Sequence, residues 1–103
     1  MSVHIAVDRG QIESFCRRWK IAEFAFFGSV LTEDFRPESD VDVLVSFWED
    51  ADWTLFDLVR MQEELSRILG RRVDLLDRRS VEASRNYIRR RHILNSLETL
   101  YVA

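Results

Sequence analysis

Residues 40–47 alternate so regularly that a strand is the natural reading: Asp40-Val41-Asp42-Val43-Leu44-Val45-Ser46-Phe47. In an extended chain successive side chains point to opposite faces. Val41, Val43 and Val45 therefore form one apolar face, while Asp40, Asp42 and Leu44 share the other. Two carboxylates side by side on a hydrophobic strand repel each other and add nothing to packing. A divalent cation between them resolves that conflict, and Asp40 and Asp42 are read as metal ligands.

Upstream, the apolar run Phe24-Ala25-Phe26-Phe27 ends at Gly28-Ser29, and a loop over residues 30–39, holding the lone Pro37, leads into the aspartate strand. Glycine lets a phosphate approach the backbone, free N–H groups of a tight turn attract it, and the serine hydroxyl adds a donor. Downstream, Arg72-Val73-Asp74-Leu75-Leu76 repeats the pattern of a carboxylate between apolar neighbours. Asp74 is thus the best third carboxylate. Magnesium prefers such oxygen ligands and keeps other positions for water or phosphate. Two carboxylates, a third nearby and a phosphate turn are the parts of a metal-dependent nucleotidyl transfer, with Asp74 as candidate base.

The remaining chain supplies a scaffold. Ile12, Phe15, Cys16 and Trp19 recur at helical spacing within residues 8–21, with Asp8 as a candidate N-cap. A short buried strand is expected over 23–27 and a helix over 54–69. That helix has a stripe of Leu55, Leu58, Val59, Met61, Gln62, Leu65, Ile68 and Leu69, and Gly70 as its C-terminal stop. A strand over 72–76, a last helix from residue 79 or 80 to about 94, and a short strand within 96–102 complete the order. This is an α/β chain, with helices on one face of a small mixed sheet. The first two strands, joined over the loop, are expected to be antiparallel.

Length and charge narrow the class further. The 103 residues suit a single domain over 1–103, and 47% apolar content is enough for a core. No apolar run approaches the ~18 residues that would span a membrane, and the N-terminus lacks a secretory pattern. The single cysteine fits a reducing compartment, so a cytoplasmic location is expected. A net charge of −3 argues against direct nucleic-acid binding. Lys20 is the only lysine among 15 basic residues; a GC-rich genome explains that bias as readily as arginine's bidentate phosphate chemistry.

Gly28-Ser29…Arg36-Pro37-Glu38-Ser39-Asp40-Val41-Asp42-Val43-Leu44-Val45, with the later Asp74 strand, resembles the signature of the polymerase-beta-like nucleotidyltransferase superfamily. The shortness resembles its minimal nucleotidyltransferase (MNT) branch, whose members are usually encoded beside a HEPN-domain protein. The resemblance extends from about Ile12 to Tyr101 and implies the nucleotidyltransferase fold. It implies triphosphate contacts at Gly28 and Ser29, nucleotide contacts at Arg36 and Ser39, and metal binding by Asp40, Asp42 and Asp74. By the same resemblance the chain is an antitoxin that neutralises a cognate HEPN ribonuclease toxin by magnesium-dependent transfer of AMP from ATP to a toxin tyrosine. It departs from the pattern after Ser29, where many members carry arginines and this chain has Val30-Leu31-Thr32-Glu33. Arg36 either compensates for that loss or pairs with Glu38.

That departure keeps open a second reading, an antitoxin that acts by binding and occluding the toxin. A small-molecule nucleotidyltransferase is disfavoured because no acceptor domain is expected. Self-association is compatible with the size, as is a hetero-oligomer with the toxin. His4 and His92 are read as surface or interface residues away from the motif, and Cys16 as a core residue. Asp77 is read as a loop or cap residue. Trp48 and Trp53 are placed at a sheet edge or a partner contact. Most phenylalanines, Phe56 among them, are assigned to the core, with Phe35 the candidate for a partner. Arg85 to Arg91 form the most basic segment, read first as a solvated helix face and second, as a group, as a dock for an acidic partner or RNA.

Overall fold

Asp8 starts the first helix by accepting the N–H groups of Gly10 and Gln11 at 3.0 and 3.3 Å, the expected capping geometry. The computed structural model describes Val3 and residues 5–103, so His4 lies outside the described residues. Helix α1 (Arg9–Arg18) is followed by β1 (Ile21–Phe27), a 3₁₀ turn (Gly28–Leu31), β2 (Val41–Phe47), α2 (Leu55–Leu69), β3 (Val73–Asp77), α3 (Arg78–Glu82), α4 (Tyr87–Asn95) and β4 (Glu98–Val102). The four strands form one sheet in the order β3-β2-β1-β4. β1 is antiparallel to β2 and β4, and β2 is parallel to β3. The mixed α/β architecture is the expected one.

The strand alternation sorts side chains into two cores. On one face Phe24, Phe26, Val41, Val43 and Val45 pack beneath Ile12, Phe15 and Cys16 of α1 and Met61, Leu65 and Leu69 of α2. Burial pushes the Cys16 thiol up to about 12, so it stays protonated and acts as a small apolar residue. On the opposite face Phe27 and Leu44 meet Val81 of α3 and Ile93 of α4. Helices on one face is thus correct for α1 and α2 only. Leu44 and Phe27 are apolar on the second face, and the C-terminal helices are what keeps them from water.

Those helices were expected to be one. Local hydrogen bonding divides them: Asp77 caps α3 by accepting the Arg79 N–H, Ser84 Oγ accepts the Asn86 N–H, and Asn86 Oδ1 caps α4 through Arg89 N–H at 3.1 Å. Short polar side chains divert the backbone from continuous helix in this way. Arg90 then ties the break by donating to the carbonyls of Glu82 and Ser84.

Helix α2 keeps its expected ends, with a Thr54–Asp57 capping box and Gly70 at φ 66°. Part of its stripe differs. Leu55 and Phe56 are 75% and 81% exposed, and Val59 is exposed as well. At about 100° per residue these positions lie roughly 120–160° around the helix from Met61, away from the sheet. Phe35, by contrast, packs against the core beneath the Arg71 guanidinium, 4.5 Å from its ring centre. Trp53 donates to the Trp19 carbonyl at 2.8 Å and packs edge-on to its ring, while Trp48 is half exposed.

Because Asn86 is what sets off α4, Asn86→Ala is expected to cost about 1 kcal/mol, the usual value of an N-cap. A lowered urea midpoint with an unchanged m-value would report it; an unchanged midpoint would mean the cap does not hold the break.

Candidate active site

The register of the sheet builds the site. Asp42 lies opposite Phe27 on β1 and opposite Asp74 on β3. Asp42 and Asp74 therefore project from the same face of adjacent strands, the face that also carries Leu44. Asp40 precedes β2 and is exposed, with Arg72 Nε 3.1 Å from its Oδ1. All three predicted carboxylates gather at the N-terminal ends of β2 and β3.

Gly28 is seated directly on Asp42. Its φ is +76°, and a Cβ placed on it would fall within the Asp42 carboxylate. Only glycine satisfies both the left-handed backbone and the approach. The Gly28–Leu31 turn opens without a side-chain cap from Phe27, which leaves its first N–H groups free of that acceptor. Thr32 closes the turn, its N–H and hydroxyl both donating to the Ser29 carbonyl at 2.9 and 3.0 Å.

Burial pushes Asp42 up to about 6, and the nearby charges of Asp74 and Asp40 add to that rise, while Arg89 opposes it. A group with this profile stores negative charge that a cation would relieve. Among the described residues no three His, Cys, Asp or Glu side chains are grouped so as to hold a metal ion, so Asp40, Asp42 and Asp74 do not form a three-ligand cluster. The donors they offer are carboxylate oxygens, the ligand type magnesium takes, and one or two carboxylates suffice for it beside water and phosphate.

Two predicted nucleotide contacts take other positions. Ser39 Oγ accepts the Arg36 N–H at 3.1 Å, and the Arg36 carbonyl accepts from Ser39 N–H and from Arg71. Both residues shape the loop; like Asp40, Asp42 and Asp74, they are not among the residues lining the depression of about 320 Å³ into which Gly28 and Ser29 open. Among the described residues Arg36 forms no ion pair with Glu38; Arg72 instead donates to the Glu38 carbonyl. His92, expected far from the motif, lines that depression with Ser29 and Thr32. Arg72, Arg89 and His92 are thus the site residues that sequence reasoning missed. A larger depression of about 540 Å³ lies along α1 and α2. The Arg18–Glu64 ion pair lies among its lining residues, and none of the three aspartates reaches it. Trp48 and Trp53 line a separate hollow at the far end of β2.

A sheet of this order, with carboxylates on two adjacent strands under a glycine turn, is the arrangement expected of a nucleotidyltransferase. A model of the nucleotidyltransferase domain family matches residues 9–98, and the chain belongs to that family. It is similar to the protein adenylyltransferase MntA of Thermococcus cleftensis, 35% identical over 66 residues, 64% of this chain and 65% of that one. Matches to relatives in Methanocaldococcus jannaschii cover 63% and 59% of their length, so the chain aligns with about three fifths of those proteins. A toxin–antitoxin complex with AMP-PNP superposes with a TM-score of 0.73, covering 94% of this chain and 75% of that one at 21% identity. A complex of an MNT antitoxin with a tri-AMPylated HEPN toxin of Shewanella oneidensis gives 0.64, covering 92% and 70% at 22% identity. At such identities these likenesses speak for the fold.

Two outcomes test the geometry. Gly28→Ala forces a methyl group into Asp42 and an L-residue into positive φ, so it should lower stability by more than the ~1 kcal/mol of an ordinary left-handed penalty and abolish nucleotide binding by calorimetry. For Asp42, a folded pKa raised from 3.8 to about 6 means a contribution to stability present below pH 4 and lost as pH rises through 6. In chelator at pH 7.5, Asp42→Asn should therefore melt higher than wild type, on a scale of roughly 4–8 °C per kcal/mol. Magnesium should raise the wild-type midpoint and leave that of the variant nearly fixed.

Proposed function

We propose that this chain is an antitoxin enzyme that transfers AMP from ATP to a tyrosine hydroxyl of a HEPN-type toxin, with magnesium bound at its aspartates. The observation that carries the reading is Gly28 seated on Asp42 beside Asp74, which sets a phosphate turn against a carboxylate pair. The family membership supports nucleotidyl transfer. The MntA relative and the structural likenesses to MNT antitoxins in toxin complexes support the partner class.

In this reading Asp40 and Asp42 hold magnesium. Bound there, the ion supplies Lewis-acid neutralisation of the phosphate oxygens. Ser29 and the backbone N–H groups of its turn orient the triphosphate. Asp74 accepts the proton of the incoming hydroxyl, whose oxygen bonds to the α-phosphorus as the bond to the pyrophosphate oxygen breaks. Pyrophosphate leaves, and AMP remains on the acceptor. Phe27, Leu44, Val81 and Ile93 back the carboxylates with an apolar wall, which strengthens the electrostatics in front of it.

A second reading, neutralisation by binding alone, draws on the Arg72–Asp40 ion pair and on Glu33 and Asp34 following the turn. Co-expression with the HEPN partner and intact-mass measurement separates the two. The enzymatic reading expects AMP increments on the partner that disappear with Asp42→Asn. Asp74→Asn should slow transfer by roughly 10²–10⁴-fold, the range of general-base catalysis. An unmodified partner that is still neutralised by the Asp40→Ala chain would establish binding alone.

A further inference from the structure

The turn that would hold a triphosphate has no cation of its own. Val30 to Asp34 contribute two apolar side chains, a threonine and two acids, and Asp34 lines the same depression as Ser29. A triphosphate against Asp34, with Asp42 behind Gly28, meets repulsion that one bound divalent ion does not cancel. The opposite wall of the depression comes from α4, through His92 and Ser96.

Several features hold that wall in place. Ser96 Oγ donates to the His92 carbonyl at 2.6 Å, fixing the end of the helix. Ile93, the next residue, is buried against Phe27 and Leu44, so the helix is anchored to the strand that ends at Gly28. One turn earlier Arg89 lies near enough to Asp42 to act on its charge. Arg91 lines an adjoining depression of about 380 Å³ that shares His92 and Ser96 with the first. Asp34 and Ser29, from the loop and turn, line the depression with His92, and Arg91 lines the adjoining one with it; Arg89 lies one turn earlier on the same helix.

We propose that His92 is a phosphate-binding residue of this site. Its imidazole N–H, across the depression from Ser29, donates to the distal phosphates of a nucleoside triphosphate and supplies a side-chain donor where none of Val30 to Asp34 offers a basic one. The inference rests on the nucleotide-transfer reading above and adds a contact on α4, outside the Gly-Ser and aspartate motifs. A contact to the β- or γ-phosphate has a signature that a merely structural residue lacks, because AMP does not carry those phosphates.

The test titrates the purified chain with ATP and with AMP in magnesium, using wild type, His92→Ala, His92→Arg and Ser29→Ala. His92→Ala is expected to weaken ATP about tenfold, the scale of one hydrogen bond to an ionised phosphate, while AMP binding changes by less than about twofold. His92→Arg, which keeps N–H donors at the position, is expected to retain ATP affinity. An ATP affinity unchanged in His92→Ala, or equal losses for ATP and AMP, would overturn the proposal. Ser29→Ala distinguishes the levels of failure. If it weakens ATP while His92→Ala does not, only the role of His92 is wrong. If Ser29→Ala also leaves ATP untouched, the phosphate turn itself is misassigned.

Discussion

Asp42 is held half-buried beside a second carboxylate, and the fold bears the electrostatic cost of keeping it there. The arrangement depends on the parallel pairing of β2 with β3, which sets Asp42 opposite Asp74. Parallel neighbours need a crossover, and α2 provides it, fifteen residues or about 22 Å of helix. Its capping box and Gly70 fix where the crossover begins and ends, and hence which residue of β3 reaches the site. Met61, Leu65 and Leu69 anchor it to the first face. The second face is left for the carboxylates, and the hydrophobic work is done on the side where they are not.

The second face is closed by a smaller cluster that depends on the break between α3 and α4. Val81 and Ile93 sit on different helices and reach the same pair, Phe27 and Leu44. Ser84 and Asn86 redirect the backbone between them. The same redirection carries Arg89 toward Asp42 and His92 toward the Gly28–Ser29 turn. The second-face packing and the placement of Arg89 and His92 thus share one local feature.

Much of this was legible in the chain because it is local. Alternation over 40–47 identified β2 and put Asp40 and Asp42 on one face; Thr54 and Gly70 marked α2; Asp74 between apolar neighbours gave its strand and side. What escaped depends on distance or on helix phase. Nothing within residues 85–96 says that His92 faces Ser29, since that nearness exists only once α4 folds over the second face. Leu55, Phe56 and Val59 look like core by composition, and only their angular position relative to Met61 takes them off it. Arg36 and Ser39 lie within the motif, yet the loop uses Ser39 Oγ and the Arg36 carbonyl for its own turn.

A pattern joins the three missed residues. Arg72 stands against Asp40, Arg89 acts on Asp42, and His92 faces the turn that Asp34 makes acidic. Arg89 and His92 come from α4, outside the Gly-Ser and aspartate motifs, and Arg72 from the Asp74 segment reaches back to Asp40, so the contacts are made by tertiary structure rather than by neighbours in sequence. Arg72 links this balance to the loop, because it pairs with Asp40 and also donates to the Glu38 carbonyl at 2.8 Å. A divalent cation bound at Asp40, as proposed above, would compete with Arg72 for the same carboxylate. Its affinity would then be coupled to the path of residues 36–39, and the loop between the two halves of the motif would set charge at the site as well as connect it.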